Sequence, residues 1–333
     1  MHRSRTVVVT GASAGVGRAT AHAFARRGAR IALLARDATA LEDTRAEVER
    51  LGGQAVAIPT DVADADAVEA AAARTEDYFG PIDVWVNNAM TTVFAPVKTL
   101  TADEIHRVTD VTYHGQVHGT LAALRRMLPR DRGRIIQVGS ALAYRGIPLQ
   151  AAYCAAKHAI VGFTDALRSE LIHDGSNVKL TAVHLPAMNT PQFSWARTHF
   201  SRRPQPVGPI IQPEKAAEAI AWAAEHGGRE LWVGSSTMQT VLGQMVAPSL
   251  MDRMMARMAY DAQLRDEPLP TGYRDNLYET VPGPHATRGV FDARAGHSGR
   301  SMRAGTVRAL VAGAGVALVA GMVAGSALGA ARR

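Results

Sequence analysis

From Thr6 to Val233 the sequence alternates short runs of β-forming residues with longer amphipathic patterns of helical period, and no other feature limits the fold as much. This alternation is typical of repeated βαβ units, in which parallel strands form one sheet with helices on both faces. The predicted strands are Thr6–Thr10, Arg30–Ala35, Gln54–Ile58, Asp83–Val86, Arg134–Val138, Lys179–His184 and Glu230–Val233. The sequence therefore predicts an α/β fold with a doubly wound, seven-stranded parallel sheet.

Helices are predicted between these strands, at Gly15–Arg27, Thr39–Leu51, Asp64–Phe79, Thr101–Leu128, Ala151–His173 and Pro213–Glu225. Apolar residues make up 47% of the chain but aromatic residues only 5%, which suits parallel strands buried by Ala and Val. A chain of 333 residues is long enough to bury a large core in one such domain. We therefore expect the α/β domain to span residues 1–240.

Three segments depart from this alternation. Residues 188–213 are rich in Pro, Arg and aromatic side chains, and long insertions of this kind are commonly functional loops. A Met-rich helical stretch, Met238–Tyr260, follows the last strand, and a Pro-, Gly-, Asp- and Arg-rich stretch comes after it. We predict a substrate loop at 188–213, a C-terminal extension or linker at 241–303 in which Asp261–Arg303 forms a surface strap or linker, and an apolar helical tail at 304–333.

The apolar tail contains no charged residue between Ala309 and Ala331, and arginines stand on both sides of it. Its length suffices to cross a bilayer, and Gly321, Gly325 and Gly329 recur at the spacing that lets transmembrane helices pack closely. We predict a transmembrane or membrane-anchoring helix; the alternative is a helix docked on the α/β domain or in an oligomer interface. The first residues lack the pattern of a secretory signal, so the domain is expected in the cytoplasm, anchored to the cytoplasmic membrane.

Composition argues against several other kinds of site. The formal net charge of +7 is spread along the chain without a recognised nucleic-acid motif, so no nucleic-acid partner is expected. The single cysteine, Cys154, cannot form an intramolecular disulfide or a cysteine pair for zinc, and it is expected to pack rather than react. His114 and His118 lie four residues apart but lack a third ligand at a suitable spacing, so no metal site is expected.

A glycine-rich turn, Thr10-Gly11-Ala12-Ser13-Ala14-Gly15-Val16-Gly17, joins the first predicted strand to the first helix. Glycines at such a junction let the backbone approach a pyrophosphate, while the helix N-terminus offers unpaired N–H groups and a favourable dipole. A glycine trio also occurs in plain turns, but its place at the first strand-to-helix junction favours dinucleotide binding. The turn indicates a Rossmann-like fold.

Tyr153 and Lys157 lie four residues apart on a predicted helix, which places a phenol and an ammonium on one face. A phenol has a pKa of about 10, and a nearby cation lowers that pKa toward the range useful for acid and base catalysis. Ser140 follows the fifth predicted strand at the carboxyl edge of the sheet, where its hydroxyl can bind a substrate oxygen. Taken singly, such a Tyr–Lys pair can also face solvent, and such a serine can also form a turn.

These residues stand in the order and spacing of a known family. The glycine turn, Asp61-Val62, Asn87-Asn88-Ala89, Ser140, and Tyr153 with Lys157 resemble the motifs of the short-chain dehydrogenase/reductase family, in its TGxxxGxG and YxxxK branch. The resemblance covers about two-thirds of the chain, from Thr6 to Val233. An epimerase or dehydratase would share the Tyr and the Lys, but the glycine spacing is similar to that of the dehydrogenase branch.

The resemblance implies a role for each matching residue. Tyr153 would be the general acid in carbonyl reduction and the base in alcohol oxidation, and Ser140 would orient and polarise the substrate oxygen. Lys157 would bind the nicotinamide ribose and lower the pKa of Tyr153. The residues implied in cofactor binding are Gly11, Ser13, Ala14, Gly15, Val16 and Gly17 at the pyrophosphate, Asp61 and Val62 at the adenine, Asn88 and Ala89 beside the adenine ribose, Pro186 and Thr190 at the nicotinamide, and Tyr153 and Lys157.

The chain departs from the family pattern at three positions. Thr112 stands where the family usually has an Asn whose backbone is thought to hold a water in a proton relay, so Thr112 is expected to keep that geometry without the amide. Met90 replaces the glycine that ends the Asn-Asn-Ala-Gly motif, and Ala187 replaces the glycine after Pro186. Both add side chains near the cofactor, and we expect them to reshape the pocket.

Cofactor choice depends on the end of the second strand, Ala35-Arg36-Asp37. NAD enzymes usually place a carboxylate there for the ribose 2′-hydroxyl, whereas an Arg pairs with the 2′-phosphate of NADP. Ala35 occupies the usual acidic position and Arg36 follows it, so NADP(H) is expected in preference to NAD(H). The alternative is a surface Arg36 and an Asp37 that only caps the next helix.

The sequence thus predicts an NADP(H)-dependent oxidoreductase that interconverts a carbonyl and an alcohol by hydride transfer. The alternative is a non-catalytic NADP(H)-binding sensor or membrane-recruited scaffold of the same fold, for which Thr112, Met90 and Ala187 leave room. The family habit implies a homodimer or homotetramer formed through the helices Thr101–Leu128 and Ala151–His173. An apolar substrate is suggested by the residues expected to cover the pocket, Phe193, Trp195, Phe200, Leu142, Ile147 and Leu149.

Overall fold

The computed structural model describes residues 4–283, 285–296 and 301–309. Its centre is an eight-stranded sheet, formed by β1 (Thr6–Thr10), β2 (Arg30–Ala35), β3 (Gln54–Pro59), β4 (Val84–Asn87), β5 (Arg134–Ser140), β6 (Lys179–Leu185), β7 (Glu230–Val233) and β8 (Ser301–Arg303). The order across the sheet is β8-β7-β6-β5-β4-β1-β2-β3, and β1 to β7 are parallel. The predicted Rossmann-like parallel sheet is confirmed, and an antiparallel β8 extends it beyond β7.

The α-helices that cover and follow the sheet are α1 (Gly15–Ala25), α2 (Ala38–Arg50), α3 (Ala65–Phe79), α4 (Ala102–Thr109), α5 (Gly115–Met127), α6 (Ala151–His173), α7 (Pro213–His226), α8 (Ser235–Val246) and α9 (Pro248–Met258). Several begin at side-chain caps, which satisfy N–H groups of the first turn. The Asp37 carboxylate accepts from the Ala40 N–H at 2.9 Å before α2, so Asp37 is a helix cap. Thr101 and Glu104 form a reciprocal capping box at the start of α4.

Alternate residues of each parallel strand face opposite sides of the sheet, so the fold has two apolar layers. On β1, Val7 and Val9 lie in one layer and Val8 lies in the other, and all three are fully buried. The first layer includes side chains of α1 and α7, and the second includes side chains of α3 and α5. Burial on both faces explains why these strands are almost continuously apolar.

The helix predicted at Thr101–Leu128 is broken. α4 ends at Thr109, Asp110–His114 forms one π-helical turn, and α5 begins at Gly115. The prediction of a single α-helix is wrong at this turn, because an apolar pattern of helical period does not distinguish an i to i+5 turn from an i to i+4 turn. The π turn places Val111 on the wall of the ligand-binding cleft described below.

The C-terminal extension, for which the sequence predicts a surface strap or linker, packs on the α/β domain. Short strand pairs join it to the substrate loop, Leu264–Pro268 with Arg202–Pro204 and Ala295–Gly296 with Ile210–Ile211. Leu277 is fully buried, and Phe291 packs with Phe193 at a ring-centroid distance of 5.8 Å. The extension therefore folds onto the α/β domain, because its apolar side chains and strand edges have partners there.

The predicted apolar tail at 304–333 lies mostly outside the described residues. Residues 304–309 are helical, and Ala304 and Val307 are buried beside Trp232. Within the part of the chain that the structure describes, no helix has the length and apolar character that a membrane crossing requires. The membrane anchor stays a prediction, since residues 310–333 are outside that part.

Candidate active site

A cleft of about 580 Å³ lies at the carboxyl ends of the central parallel strands. Doubly wound sheets bind ligands there, beside the point between β1 and β4 where the strand order reverses. Most residues predicted from the sequence line this cleft, namely Gly11, Ser13, Ala14, Gly15, Val16, Arg36, Asp61, Val62, Asn88, Ala89, Ser140, Tyr153, Lys157, Pro186 and Thr190. Two predicted residues, Gly17 and Thr112, lie behind the wall.

The glycine turn has a geometry that favours glycine at three of its positions, one of which is Gly15 with a φ of 54°. Gly11 adopts a φ of 67°, in the left-handed region that side chains disfavour. A Cβ on Gly17 would lie 2.0 Å from the backbone oxygen of Gly11. Ala14 precedes α1 in an extended conformation, and among the described residues no side chain caps this helix. An anionic group such as a pyrophosphate therefore fits the N-terminus of α1.

Asn88 and Ala89 brace this turn from the end of β4. The Asn88 side-chain amide donates to the Thr10 backbone oxygen at 2.9 Å. The N–H groups of Asn88 and Ala89 donate to the Thr10 hydroxyl at 2.9 and 3.0 Å. These bonds hold the turn against the sheet, so the two residues shape the cofactor side of the cleft.

Charged side chains surround the end of the cleft beside β2 and α4, where the family resemblance places the adenosine. Arg36 and Asp61 line the wall, and Arg107 donates to the Asp61 carboxylate at 2.6 Å. Burial would raise the pKa of Asp61, but its bonds from Arg107 and from the Ala63 N–H outweigh burial and lower that pKa. Asp37 also lines this corner, so Arg36 and Arg107 face two carboxylates. The Arg36 guanidinium donates to the Tyr278 backbone oxygen at 2.7 Å.

Ser140, Tyr153 and Lys157 meet in one part of the cleft. Ser140 ends β5, and its hydroxyl accepts from the Leu142 N–H at 3.1 Å. The Lys157 ammonium donates to the Val138 backbone oxygen at 2.8 Å and lies 5.7 Å from the centroid of the Tyr153 ring. Lys157 is only 2% exposed, whereas Tyr153 is partly open to the cleft. The three side chains therefore face the same ligand space.

Burial sets the protonation of this group. It raises the pKa of the Tyr153 phenol above its usual value, and the neighbouring Ser140 hydroxyl lowers that pKa by less. Burial also lowers the pKa of Lys157 to about 7. An apolar site disfavours both the phenolate and the ammonium, so the net pKa of Tyr153 is raised, and a lowering contribution from Lys157 stays a prediction. At neutral pH the phenol keeps its proton.

Thr112 acts behind the cleft wall. It is fully buried on the π turn, where its hydroxyl donates to the Thr91 backbone oxygen at 3.0 Å and accepts from the Thr91 N–H at 3.1 Å. Thr91 and Val111 line the cleft, so these bonds position its wall. A proton relay through the backbone at Thr112 stays a prediction.

The wall after β6 carries Pro186 and Thr190, as the sequence predicted. Thr190 faces the glycine turn, since a Cβ on Gly15 would lie 3.1 Å from the Thr190 methyl group. Met90 and Ala187, which replace two family glycines, also line the cleft. Their side chains therefore occupy ligand space rather than the core.

The substrate part of the cleft is largely apolar. Leu142, Ile147, Phe193 and Trp195 line it as predicted, whereas Phe200 and Leu149 are not on its wall. Further wall residues were not predicted from the sequence, namely Arg145, Gln150, Ser236, Gln239, Thr240, Met251, Met254, Met255 and Gln263. The available signal was the helical spacing of the methionines in α9, which indicates an apolar face.

A segment of the C-terminal extension closes the cleft on its outer side. We name residues 276–292, of which Pro284 is not described, the cover segment. Asn276, Thr280, Val281 and His285 of this segment line the cleft. The sequence analysis placed them in a surface strap or linker, and the available signal for a function was the length of this segment, since long irregular segments of compact domains usually have one.

The remaining candidates have local structural partners. His114 contacts the Asp110 carboxylate at 2.9 Å, and the Nδ1 of His118 lies 3.0 Å from the Val62 backbone oxygen. Cys154 is buried, and burial raises its pKa to about 11. A thiol with so high a pKa packs as an apolar side chain and is a poor nucleophile.

Comparison with known proteins identifies the family. The sequence profile described as short chain dehydrogenase matches residues 5–199. The chain is 31% identical over 316 residues to the uncharacterized oxidoreductase YxnA of Bacillus subtilis (strain 168), an alignment that covers 93% of this chain and 89% of YxnA. The chain therefore belongs to the short-chain dehydrogenase/reductase family. It is an oxidoreductase of that family, which acts on CH–OH and C=O groups.

Two solved structures share the fold. An alcohol dehydrogenase from the archaeon Thermococcus sibiricus, complexed with 5-hydroxy-NADP, is 27% identical with a TM-score of 0.58, and the match covers 69% of this chain and 95% of that chain. A metagenomic short-chain oxidoreductase in complex with NADP is 28% identical with a TM-score of 0.57, covering 67% of this chain and 91% of that chain. Both chains match almost end to end, so this chain carries additional structure.

Proposed function

We propose that this protein is an NADP(H)-dependent oxidoreductase that interconverts an alcohol and a carbonyl compound by hydride transfer. The observation that carries the proposal is that the glycine turn and the side chains of Ser140, Tyr153 and Lys157 line the same cleft. The N-terminus of α1, which has no side-chain cap among the described residues, and the close approach at Gly17 fit a pyrophosphate. When bound, the nicotinamide supplies or accepts the hydride.

Tyr153 exchanges a proton with the substrate oxygen. Its raised pKa keeps the phenol protonated at neutral pH, which is the form that donates during carbonyl reduction. Ser140 binds the same oxygen and stabilises the charge that develops on it. Lys157 holds the ribose hydroxyls of the dinucleotide, and its positive charge near the ring stabilises the phenolate as it forms.

The preference for NADP(H) over NAD(H) rests on Arg36. This side chain lines the cleft after Ala35, and the nearby Asp61 carboxylate is already paired with Arg107. The Arg36 guanidinium therefore supports the proposal, because the 2′-phosphate is the cofactor group that pairs with an arginine.

The substrates of this enzyme are apolar. Leu142, Ile147 and Phe193 with the methionines of α9 give the substrate part of the cleft its apolar wall.

The protein assembles as a homodimer or homotetramer. On the helices that the family uses for assembly, Leu121 is 42% exposed and Ile172 is 73% exposed. Sedimentation of the wild type, with Ile172→Glu as the interface variant, measures the oligomeric state.

The apolar tail is a separate proposal from sequence alone, in which residues 310–333 anchor the protein and leave the catalytic domain on the cytoplasmic side. The full chain and a chain ending at Ala309 are compared by membrane pelleting and alkaline extraction. The full chain is expected in the membrane pellet and the shorter chain in the supernatant. A full chain found in the supernatant contradicts the anchor.

A substrate screen tests the enzymatic proposal. NADPH consumption is followed by absorbance with a panel of aldehydes, ketones and quinones. Tyr153→Phe is expected to reduce turnover by about 10² to 10⁴-fold, as for loss of a general acid, while its Kd for NADPH stays close to that of the wild type. Tyr78→Phe, at an exposed site, is the matched control and keeps full turnover.

The substrate screen also distinguishes an enzyme from a non-catalytic sensor or scaffold of the same fold. Retained turnover in Tyr153→Phe contradicts the assigned acid. A wild type that binds NADPH but reduces no compound of the panel supports the non-catalytic sensor or scaffold.

A further inference from the structure

The cover segment runs along the cofactor side of the cleft and is held near the adenosine end by two cations. The Arg36 guanidinium donates to the backbone oxygens of Asn276 at 2.5 Å and Tyr278 at 2.7 Å. The Nε of Arg107 donates to the backbone oxygen of Leu277 at 3.0 Å. The segment is therefore tied to the end of β2 and to α4 by charge-assisted bonds.

A second anchor lies beside the glycine turn. The Gly15 N–H donates to the Ala286 backbone oxygen at 3.0 Å. The Arg18 guanidinium donates to the His285 backbone oxygen at 2.8 Å, and this side chain is 5% exposed and paired with Glu47. The cover segment thus reaches the first turn of α1, where the pyrophosphate is expected.

A third anchor lies near the expected nicotinamide. The Gly289 N–H donates to the Asn189 backbone oxygen at 3.2 Å, and the Asn189 side-chain amide donates to Asp292 at 2.9 Å. The Phe291 N–H donates to the Asn189 side-chain oxygen at 3.1 Å. A Cβ on Gly289 would lie 2.5 Å from the Thr190 backbone oxygen, so the approach requires glycine here.

His285 carries an unsatisfied nitrogen into this space. Its side chain is 8% exposed, lines the cleft and lies against Trp195 with ring centroids 5.0 Å apart. The Nε2 atom is 2.9 Å from the Val281 backbone oxygen, so Nε2 carries a hydrogen. The Nδ1 atom is buried without a partner among the described residues. Nδ1 accepts from a ribose hydroxyl when the ring is neutral and donates to a phosphate oxygen when it is protonated.

We propose that the cover segment is the outer wall of the dinucleotide site, that it slows release of NADP(H), and that His285 binds the dinucleotide. The inference rests on the proposed function, because it concerns the same cofactor. A pyrophosphate that binds the Gly15 N–H takes the place of the Ala286 oxygen, and the dinucleotide then leaves only when one of the other anchors opens. The family profile ends at residue 199, so this wall is an addition to the matched region.

Gly289→Ala tests the wall, because the new Cβ pushes the cover segment away from Thr190. Stopped-flow displacement of bound NADPH from the full-length protein is expected to show release about tenfold faster, with association changed much less. Gly305→Ala is the matched control, since a Cβ there meets nothing within 4 Å, and its release rate stays that of the wild type.

His285→Phe tests the histidine independently and keeps an aromatic ring against Trp195. It is expected to accelerate NADPH release severalfold, and it keeps the wall testable if Gly289→Ala does not fold. Release rates equal to the wild type in the folded variants overturn the proposal. Tighter binding through faster association also overturns it, because the segment would then compete with the cofactor.

The same experiment separates this inference from the proposed function. A wild type that binds neither NADPH nor NADH contradicts the proposed function itself. A wild type that binds NADPH, reduces a carbonyl compound and releases cofactor at the rate of the variants contradicts only the wall.

Discussion

The ammonium of Lys157 donates to the backbone oxygen of Val138 at 2.8 Å from a position where the lysine is only 2% exposed. Burial at this depth lowers the pKa of Lys157 to about 7. The protein therefore holds a cation next to Tyr153 at a cost to folding, and this cost depends on pH.

The stability of the ligand-free protein is expected to rise with pH between about 7 and 10.5, the pKa values of folded and ordinary lysine. Over this window the unfolded chain binds more protons than the folded protein, so the free energy of unfolding increases as pH rises. Lys157→Met should remove this rise and stabilise the protein at pH 7 by on the order of a few kcal/mol. Urea unfolding at both ends of this pH range measures the free energy of unfolding, and Lys98→Met, at an exposed position, is the control. Parallel profiles for wild type and Lys157→Met would refute the assignment.

Arg36→Ala should weaken NADPH binding by about 10 to 100-fold, the usual worth of a hydrogen-bonded charge pair, and NADH binding much less. Arg36 also anchors the cover segment, so some loss for both cofactors is expected. The ratio of the two Kd values therefore isolates the 2′-phosphate. An equal loss of affinity for NADPH and NADH would show that Arg36 does not select between the two cofactors.

Glu104→Gln should destabilise the protein by about 1 to 3 kcal/mol and raise the KM for substrate. The Glu104 carboxylate is 2% exposed and accepts from Arg197 at 2.6 Å and from His199 at 2.9 Å, which holds the substrate loop on α4. These partners overcome burial and lower the pKa of Glu104 to about 2. Its contribution is present above pH 4.5 and is lost as pH falls toward 2, and the variant should lack this loss.

Glu42→Gln is the matched control for that experiment, because Glu42 is paired with Arg45 on an exposed helix face. Its effect on the free energy of unfolding should be within about 0.5 kcal/mol. Equal effects of the two substitutions would show that the Glu104 cluster does not hold the loop.

Gly17→Ala should abolish measurable NADPH binding while the far-UV circular dichroism stays close to that of the wild type. The new Cβ would overlap the Gly11 backbone oxygen, so the glycine turn must change shape. Gly162→Ala, where a Cβ meets nothing within 4 Å, should bind NADPH normally. Normal binding by Gly17→Ala would show that the turn does not hold the cofactor.

Much of the fold follows from local patterns in the sequence. The strands β1, β2 and β7 have the predicted bounds, because fully buried parallel strands are continuous apolar runs between turn residues. The break at Asp110–His114 has no such pattern, since the residues of a π turn keep the apolar spacing of an α-helix. The break before Pro248 does have a signal, because proline lacks the N–H that a continuous helix needs.

The functional site also contains some residues that could be predicted from the sequence and others that could not. Ser140 and Tyr153 could be predicted because their hydroxyl groups are suited to binding and protonating a substrate oxygen, and the glycine turn because residues without a side chain let the backbone approach a pyrophosphate. The cover segment could not, because Asn276, Tyr278 and Ala286 contribute backbone oxygens, which every residue has. The raised pKa of Tyr153 also depends on burial, which is a property of the tertiary structure.

Strand β8 pairs with β7 and so occupies one lateral margin of the sheet. At the other margin, β3 has β2 as its neighbour and no further strand in the part of the chain that the structure describes. β8 and β3 are therefore the two edge strands of this sheet among the described residues, and β3, with six residues against three in β8, offers the longer edge for main-chain pairing. Two copies that paired through β3 would each bury this longer edge against the same edge of the other copy, so this mode of association is isologous and closes at a pair.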